Sequence, residues 1–192
     1  MFTLKLDSEK NGSPKNTISR LRLLAAVGLL VVTVFTQAMA AVLEGRVVSV
    51  ADGDTLTVLD HASARYIIRL SGIDAPEKTQ PWGDASKRYL ISLVAGRQVR
   101  VEWHKRDRYG RVIGTVYCDG QDVSLEQLKA GLAWHYRRYA SEQPANERSR
   151  YAETEAKAHE QEIGLWSDPA PVPPWEHRRR LTSRPSPAGP RN

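Results

Sequence analysis

The chain has 192 residues, with 28 Lys and Arg against 22 Asp and Glu, and it has one cysteine. Because Cys118 has no partner in the chain, an intramolecular disulfide is excluded and the fold depends on its own core. The excess positive charge lies at the two ends: residues 1–40 carry a net +3 and residues 169–192 a net +4, whereas residues 41–168 carry −1. Net charge therefore does not by itself indicate a nucleic-acid partner, and binding of an anion must depend on the placement of individual arginines.

Residues 1–40 have the order of a secretory signal. The segment opens with five basic residues, Lys5, Lys10, Lys15, Arg20 and Arg22. An apolar run over residues 23–35 follows, shorter than the roughly twenty residues of a membrane span, and Ala38-Met39-Ala40 supplies small residues for a signal peptidase. We expect a signal peptide over residues 1–40 with cleavage after Ala40, and a periplasmic or secreted product without a membrane anchor. The alternative is an uncleaved anchor, because the apolar run could extend through residues 41–43.

The next part of the chain predicts β-strands. Residues 44–50, 55–59 and 65–73 alternate or are rich in β-branched side chains. Asp52-Gly53 between the first two segments predicts a hairpin turn, since both residue types tolerate positive φ. Two further strands are predicted over residues 98–103 and 111–117, joined by a charged loop.

Three helices are predicted among these strands, over residues 84–95, from Ser124 to Gly131 and over about 146–163. Asp84 can cap the first helix, and Gln127 lies at capping-box distance from Ser124 in the second. The pattern predicts a mixed α/β fold that is mainly a β-barrel plus helices: a five-stranded OB-type barrel with three α-helices, an architecture that commonly binds nucleic acids. Cys118 stands at a predicted strand end, where we expect a structural role.

The composition changes after Asp168. Residues 169–192 contain seven prolines and few large apolar residues, so we predict a Pro/Arg-rich disordered tail that follows a single domain over residues 41–168. The alternative is that Trp175 and the arginines at 178–180 contact the domain or an acidic polymer.

The residues with the clearest chemical significance lie in three short segments. These are Asp52-Gly53-Asp54-Thr55, then Arg69 with Ile73-Asp74-Ala75-Pro76-Glu77, and Asp107-Arg108-Tyr109-Gly110-Arg111. Carboxylate oxygens suit a hard divalent cation, and guanidinium groups suit a phosphate. No Cys or His stands beside the acids, which argues against zinc. Each segment alone is typical of a solvated turn or loop, but together they predict a phosphodiester-cleaving site.

Together with Gly131-Leu132-Ala133 and Leu165-Trp166-Ser167, these segments resemble the staphylococcal nuclease family over about residues 47–166. The resemblance implies a Ca²⁺ cofactor bound by the carboxylates of Asp54 and Asp74 and by the main-chain carbonyl of Ala75. Ala75 replaces the threonine usual in the family, which removes a hydroxyl and keeps the carbonyl. Asp52 would lie near the cation without binding it directly.

The same resemblance assigns roles in catalysis. Glu77 would take a proton from the attacking water or orient it, while Arg69 and Arg111 would hold the reacting phosphate. Tyr109 and Tyr139 would line the nucleotide site. These roles imply a calcium-dependent endonuclease that hydrolyses DNA and/or RNA and leaves 3′-phosphate ends. We expect a monomer without a stable protein partner; the alternative is a non-catalytic module that binds nucleic acid or associates with the cell envelope.

Overall fold

The computed structural model describes residues 41–183. The predicted signal peptide and its cleavage site, and residues 184–192 of the predicted tail, lie outside the described residues. Within residues 41–183, none of the helices combines the length and the apolar character that crossing a membrane requires.

Eight strands and four helices are present in the described part of the chain. The strands are β1 (Ala41–Val50), β2 (Thr55–Asp60), β3 (Arg65–Leu70), β4 (Ile73–Asp74), β5 (Gln98–Arg106), β6 (Val112–Cys118), β7 (Gln121–Asp122) and β8 (Trp134–His135). The helices are α1 (Gly83–Val94), α2 (Val123–Lys129), α3 (Ala145–Glu160) and α4 (Pro174–Thr182), with 3₁₀ segments at Arg137–Glu142 and Gly164–Ser167.

Five strands form a closed barrel. β1 pairs antiparallel with β2 and β5, β2 with β3, and β5 with β6. A parallel pairing between β3 and β6 closes the ring. This confirms the predicted five-stranded OB-type barrel within a mixed α/β fold. The short strands β4 and β8 pair with each other outside the barrel, and this pairing positions Asp74.

The core fills the barrel and continues beneath the helices. Leu56, Val58 and Ile68 point inward from β2 and β3 and are fully buried, as the alternation of the strands requires. Leu90 of α1 and Tyr151 of α3 are also fully buried. Both side chains belong to the same core cluster as the inward-facing residues of the barrel.

Cys118 ends β6 with its side chain buried. Its thiol donates a weak hydrogen bond to the carbonyl of Leu93 at 3.4 Å, and burial raises the pKa of the thiol. Both observations agree with the expected structural role.

The turn after β1 differs from the predicted one. Neither Asp52 nor Gly53 has a positive φ, so the predicted reason for the Asp-Gly pair is wrong. Gly53 is required for close approach: a Cβ there would lie 2.0 Å from Ser86 Oγ and 2.7 Å from the Ala75 Cβ. The absent side chain lets the turn that carries Asp54 pack against α1.

The predicted helix caps are also wrong. α2 is capped by Asp122, whose carboxylate accepts the Leu125 amide at 3.1 Å. Gln127, expected to complete a capping box, is instead fully buried and donates to the carbonyls of Gly53 (2.6 Å) and Ser86 (3.1 Å). At α1 the cap position is Trp82, and Asp84 lies inside the first turn.

The prediction that the tail is disordered is wrong for residues 169–183, because α4 forms there. The prolines do not prevent the helix, since Pro174 occupies its first turn, where a missing amide costs nothing. Pro174 is buried, and the Trp175 ring stacks on Tyr136 with 5.5 Å between centroids and meets the Trp134 ring edge-on at 5.7 Å. One tryptophan thus supplies the apolar contact that the composition of the tail lacks.

Candidate active site

Two buried carboxylates meet across one arginine at an edge of the barrel. Asp54 precedes β2, Asp74 ends β4, and only 5% and 1% of their surfaces are exposed. The Arg69 Nη2 atom lies 2.7 Å from Asp74 Oδ1 and 3.1 Å from Asp54 Oδ2. Its Nη1 atom donates to the carbonyls of Leu70 (3.0 Å) and Ile73 (2.9 Å). Arg69 therefore joins the two carboxylates and orders the backbone between them.

Backbone contacts bring Ala75 and Asp52 to the same place. The Ala75 amide donates to Asp54 Oδ2 at 2.7 Å, and Asp54 Oδ1 accepts the Thr55 hydroxyl at 3.0 Å. Asp52 Oδ1 accepts the Asp54 amide at 3.1 Å. Asp52 thus shapes the turn, while Asp54 is held by neighbours on both of its oxygens.

The positive charge of Arg69 does not offset the free-energy cost of burying the Asp54 carboxylate in its ionised form. Burial raises its pKa from 3.8 to about 7; Arg69 opposes this rise, while Asp52 and Asp74 add to it. An oxygen-only set with unbalanced negative charge fits a hard divalent cation. Residues 41–183 contain no group of three or more His, Cys, Asp or Glu side chains placed to hold a metal, so the predicted ligand set depends on two carboxylates and a carbonyl.

Glu77 lies in the loop between β4 and α1. Its amide donates to Gln80 Oε1 at 2.9 Å, and Gly83 allows α1 to approach, since a Cβ there would lie 2.2 Å from the Glu77 carbonyl oxygen. The Glu77 carboxylate is 2.5 Å from Arg178 Nη1 of α4. Glu77 is thus held at the rim of the carboxylate pair, more exposed than either member.

Arg178 is a site residue that the sequence analysis did not identify. Its Nη2 atom is 2.7 Å from Asp74 Oδ2, so one guanidinium contacts both Asp74 and Glu77. Burial alone would lower the pKa of Arg178, but hydrogen bonds to these two acids raise it above its usual value. The signal in the sequence is the run of arginines at 178–180, three residues after Trp175, whose contact with the domain was the alternative to a disordered tail.

Arg111 lies just before β6, the strand that pairs with the strand of Arg69. The parallel pairing sets Arg69 opposite Ile113, two residues after Arg111. Its Nε atom is 2.7 Å from Asp107 Oδ2. Burial alone would raise the pKa of Asp107, but hydrogen bonds from Arg111 and Tyr109 hold this pKa below its usual range. Asp107 therefore stays ionised and fixes Arg111.

The two predicted nucleotide-site tyrosines lie apart from the carboxylates on the exposed surface. Tyr109 is 68% exposed, and the Arg108 guanidinium lies 4.7 Å from its ring centroid. Tyr139 is 47% exposed, with Lys105 Nζ 5.3 Å from its ring. Each is an aromatic face beside a cation, an arrangement that suits a base and a phosphate together.

The family model described as "Staphylococcal nuclease homologue" matches residues 67–168, just over half of the chain. The chain belongs to the staphylococcal nuclease family. The matched span contains Arg69, Asp74, Glu77 and Arg111 and begins after Asp54. The family match therefore agrees with the resemblance seen in the motifs.

Three similar proteins carry names that agree with this family. An uncharacterized endonuclease of Escherichia coli is 45% identical over 143 residues, covering 74% of this chain and 89% of that protein. An uncharacterized endonuclease of Haemophilus influenzae is 41% identical over 135 residues, covering 70% and 72%. The probable staphylococcal-like nuclease CAN1 of Oryza sativa is 43% identical over 115 residues, covering 60% of this chain and 33% of that protein. Family and relatives together support a nuclease.

The raised pKa of the buried Asp54 carboxylate leads to a prediction for the stability of the cation-free protein. Because its folded pKa lies above its unfolded value, Asp54 destabilises the fold increasingly as pH rises from about 4 through 7. Asp54→Asn should therefore be more stable than the parent in EDTA, and the difference should grow by about 2 kcal/mol between pH 5 and pH 8. Urea unfolding at both pH values measures this, and a difference that is independent of pH would contradict it.

Proposed function

We propose that this chain is an exported, calcium-dependent nuclease that hydrolyses phosphodiester bonds of DNA and/or RNA. The observation that carries the proposal is the buried pair of Asp54 and Asp74 around Arg69, with Glu77 beside it. The signal-like order of residues 1–40 supports export to the periplasm or the medium. The near-neutral charge of residues 41–168 is compatible with this function, because a phosphate can be held by single arginines, and Arg69 lies beside the carboxylate pair.

In this proposal the carboxylates of Asp54 and Asp74 and the main-chain carbonyl of Ala75 hold Ca²⁺. When bound, the cation neutralises charge on the phosphate and on the transition state. Two carboxylates are few for a calcium site, so we expect weak binding, roughly in the 0.1–1 mM class of extracellular sites. Asp52 keeps the turn of Asp54 in place without contacting the cation.

The remaining residues act on the phosphate and the water. Arg69 and Arg111 come from adjacent strands, so their guanidinium groups can hold oxygens of one phosphate. Glu77 accepts a hydrogen bond from the attacking water and takes or directs its proton. The water oxygen forms a bond to phosphorus while the bond to the 5′ oxygen breaks, and the 5′ oxygen takes a proton from solvent, which leaves a 3′-phosphate and a 5′-hydroxyl. Tyr109 and Tyr139 would stack on the neighbouring nucleotide.

A cleavage assay tests the proposal. The mature protein should degrade single-stranded DNA, duplex DNA or RNA in millimolar Ca²⁺, stop when EGTA is added, and recover when Ca²⁺ is restored. If none of the three polymers is cut at any Ca²⁺ concentration while binding persists, the chain is a non-catalytic binding module.

Arg111 provides a sharper test of the phosphate contacts. A preorganised cation that acts mainly on the transition state is worth about 3 kcal/mol, so Arg111→Ala should lower kcat by roughly two orders of magnitude. Arg65→Ala removes one exposed charge at the start of β3 and is the matched control for net charge. Circular dichroism checks the fold of both variants, and an Arg111→Ala variant that retains a third of the parent kcat would refute the assignment.

A further inference from the structure

A cleft adjoins the carboxylate cluster. It occupies about 1020 Å³ between the β8 region, α3 and α4. Its lining includes the partly exposed rings of Trp134, Tyr136 and Trp175 and the buried ring of Trp166. We call this region the aromatic cleft. The volume is sufficient for more than one nucleotide unit.

The aromatic cleft begins where the proposed cleavage site ends. Trp134 is the β8 residue paired with Asp74 in the β4–β8 ladder. Arg178, which contacts both Asp74 and Glu77, also lines the cleft. A strand whose phosphate reached Arg69 and Glu77 could therefore continue directly into the cleft.

The chemistry of the walls suits bases and phosphates. Trp175 and Tyr136 stack on each other with 25° between their planes, and both residues remain partly exposed. Arg138 and Arg179 line the cleft and are exposed, and neither forms an ion pair with another residue in the range 41–183. Aromatic faces interleaved with unpaired guanidinium groups are typical of surfaces that bind single strands, whose bases are free to stack.

We propose that the aromatic cleft binds the single-stranded flank of a nucleic-acid substrate, with bases against Trp134, Tyr136 and Trp175 and phosphates against Arg138 and Arg179. The proposal rests on the proposed nuclease function and adds a second contact surface beside the cleavage site, formed in part by α4. A duplex hides its base faces and could offer only phosphates to this surface.

The test measures binding without turnover. A fluorescein-labelled oligothymidylate of eight nucleotides is titrated in EDTA over a series of salt concentrations. The double variant Arg138→Ala/Arg179→Ala should bind about tenfold more weakly and lose about 1.4 from the slope of log K against log salt, 0.7 for each single-strand phosphate contact. The control Arg148→Ala/Arg180→Ala removes the same charge from α3 and α4 outside the cleft and should stay within threefold of the parent.

Equal losses in the two double variants, or no loss in the cleft variant, would overturn the proposal. Tighter binding of an eight-base-pair duplex than of the single strand would overturn it as well. Because no Ca²⁺ is present, this result is separate from the cleavage assay. If the parent cuts no polymer but its salt slope falls in the cleft variant, the proposed nuclease function is wrong and the proposed binding site stands.

A second inference follows from the ion pairs of Arg178. Both Asp74 oxygens contact guanidinium groups, Oδ1 that of Arg69 and Oδ2 that of Arg178, each at 2.7 Å. Two hydrogen bonds join α4 and the residues before it to the loop after Glu77. The Gln80 side chain donates to the Val172 carbonyl at 2.9 Å, and the Thr79 hydroxyl lies 3.2 Å from the His177 ring in α4. We infer that Arg178 competes with the divalent cation for Asp74, so that cation binding displaces this side chain from both acids.

Calorimetry of Ca²⁺ binding tests this competition without turnover. Arg178→Ala should bind Ca²⁺ roughly fivefold more tightly than the parent, the gain expected when a half-exposed ion pair no longer has to be broken. Arg180→Ala, two residues further along α4, should match the parent. Unchanged or weaker Ca²⁺ binding by Arg178→Ala would overturn the inference, because Arg178 would then be a bystander or a support for the ligands.

Discussion

The contact of Arg69 with Asp54 and Asp74 is the interaction on which the rest of the site depends. Two buried carboxylates this close repel each other, and neither is stable as an anion without a shared cation. Arg69 and Arg178 return two positive charges to the three acids Asp54, Asp74 and Glu77, and burial raises the pKa of Asp54 to about 7 in spite of Arg69. When all three acids are ionised, the cluster keeps one net negative charge at a fixed point, a condition that favours binding of a divalent cation.

The barrel makes this arrangement possible because it fixes Arg69 independently of the loops. Arg69 lies in β3, where Thr55 of β2 is its antiparallel partner and Ile113 of β6 its parallel one. The acids come from turns, which need other supports. Gln127 holds the Gly53 carbonyl from the buried face of α2, and the missing side chain of Gly53 lets α1 pack against the same turn. Arg69 thus lies in a barrel strand, whereas Asp54 lies in a turn that Gln127 and α1 hold in place.

The fold could be predicted because its signals are local. Alternating β-branched residues and helical stripes identified the five barrel strands and three helices, and the spacing of the acids and arginines identified the family. The functions of Gly53 and Gln127 could not be predicted, because each depends on residues more than twenty positions away. The position of α4 could not be predicted either. A proline-rich segment cannot build a core of its own, but α4 needs only one contact, that of Trp175 with Tyr136, on a surface that the rest of the domain has already formed.

Charge balance connects α4 with the proposed chemistry. Asp54, Asp74 and Glu77 together carry three negative charges when ionised, and Arg69 with Arg178 returns two positive ones. A calcium ion and a phosphodiester group together carry the same net +1 as the Arg178 guanidinium, so their joint arrival can replace it without changing the charge of the cluster. The cation alone, in place of Arg178, would bring the three acids and Arg69 to a net charge of zero, whereas the phosphate alone would meet three acids. The cation can therefore displace Arg178 by itself, and the phosphate needs the cation. A guanidinium displaced from Asp74 remains beside the aromatic cleft, where the next phosphate of a bound strand would lie.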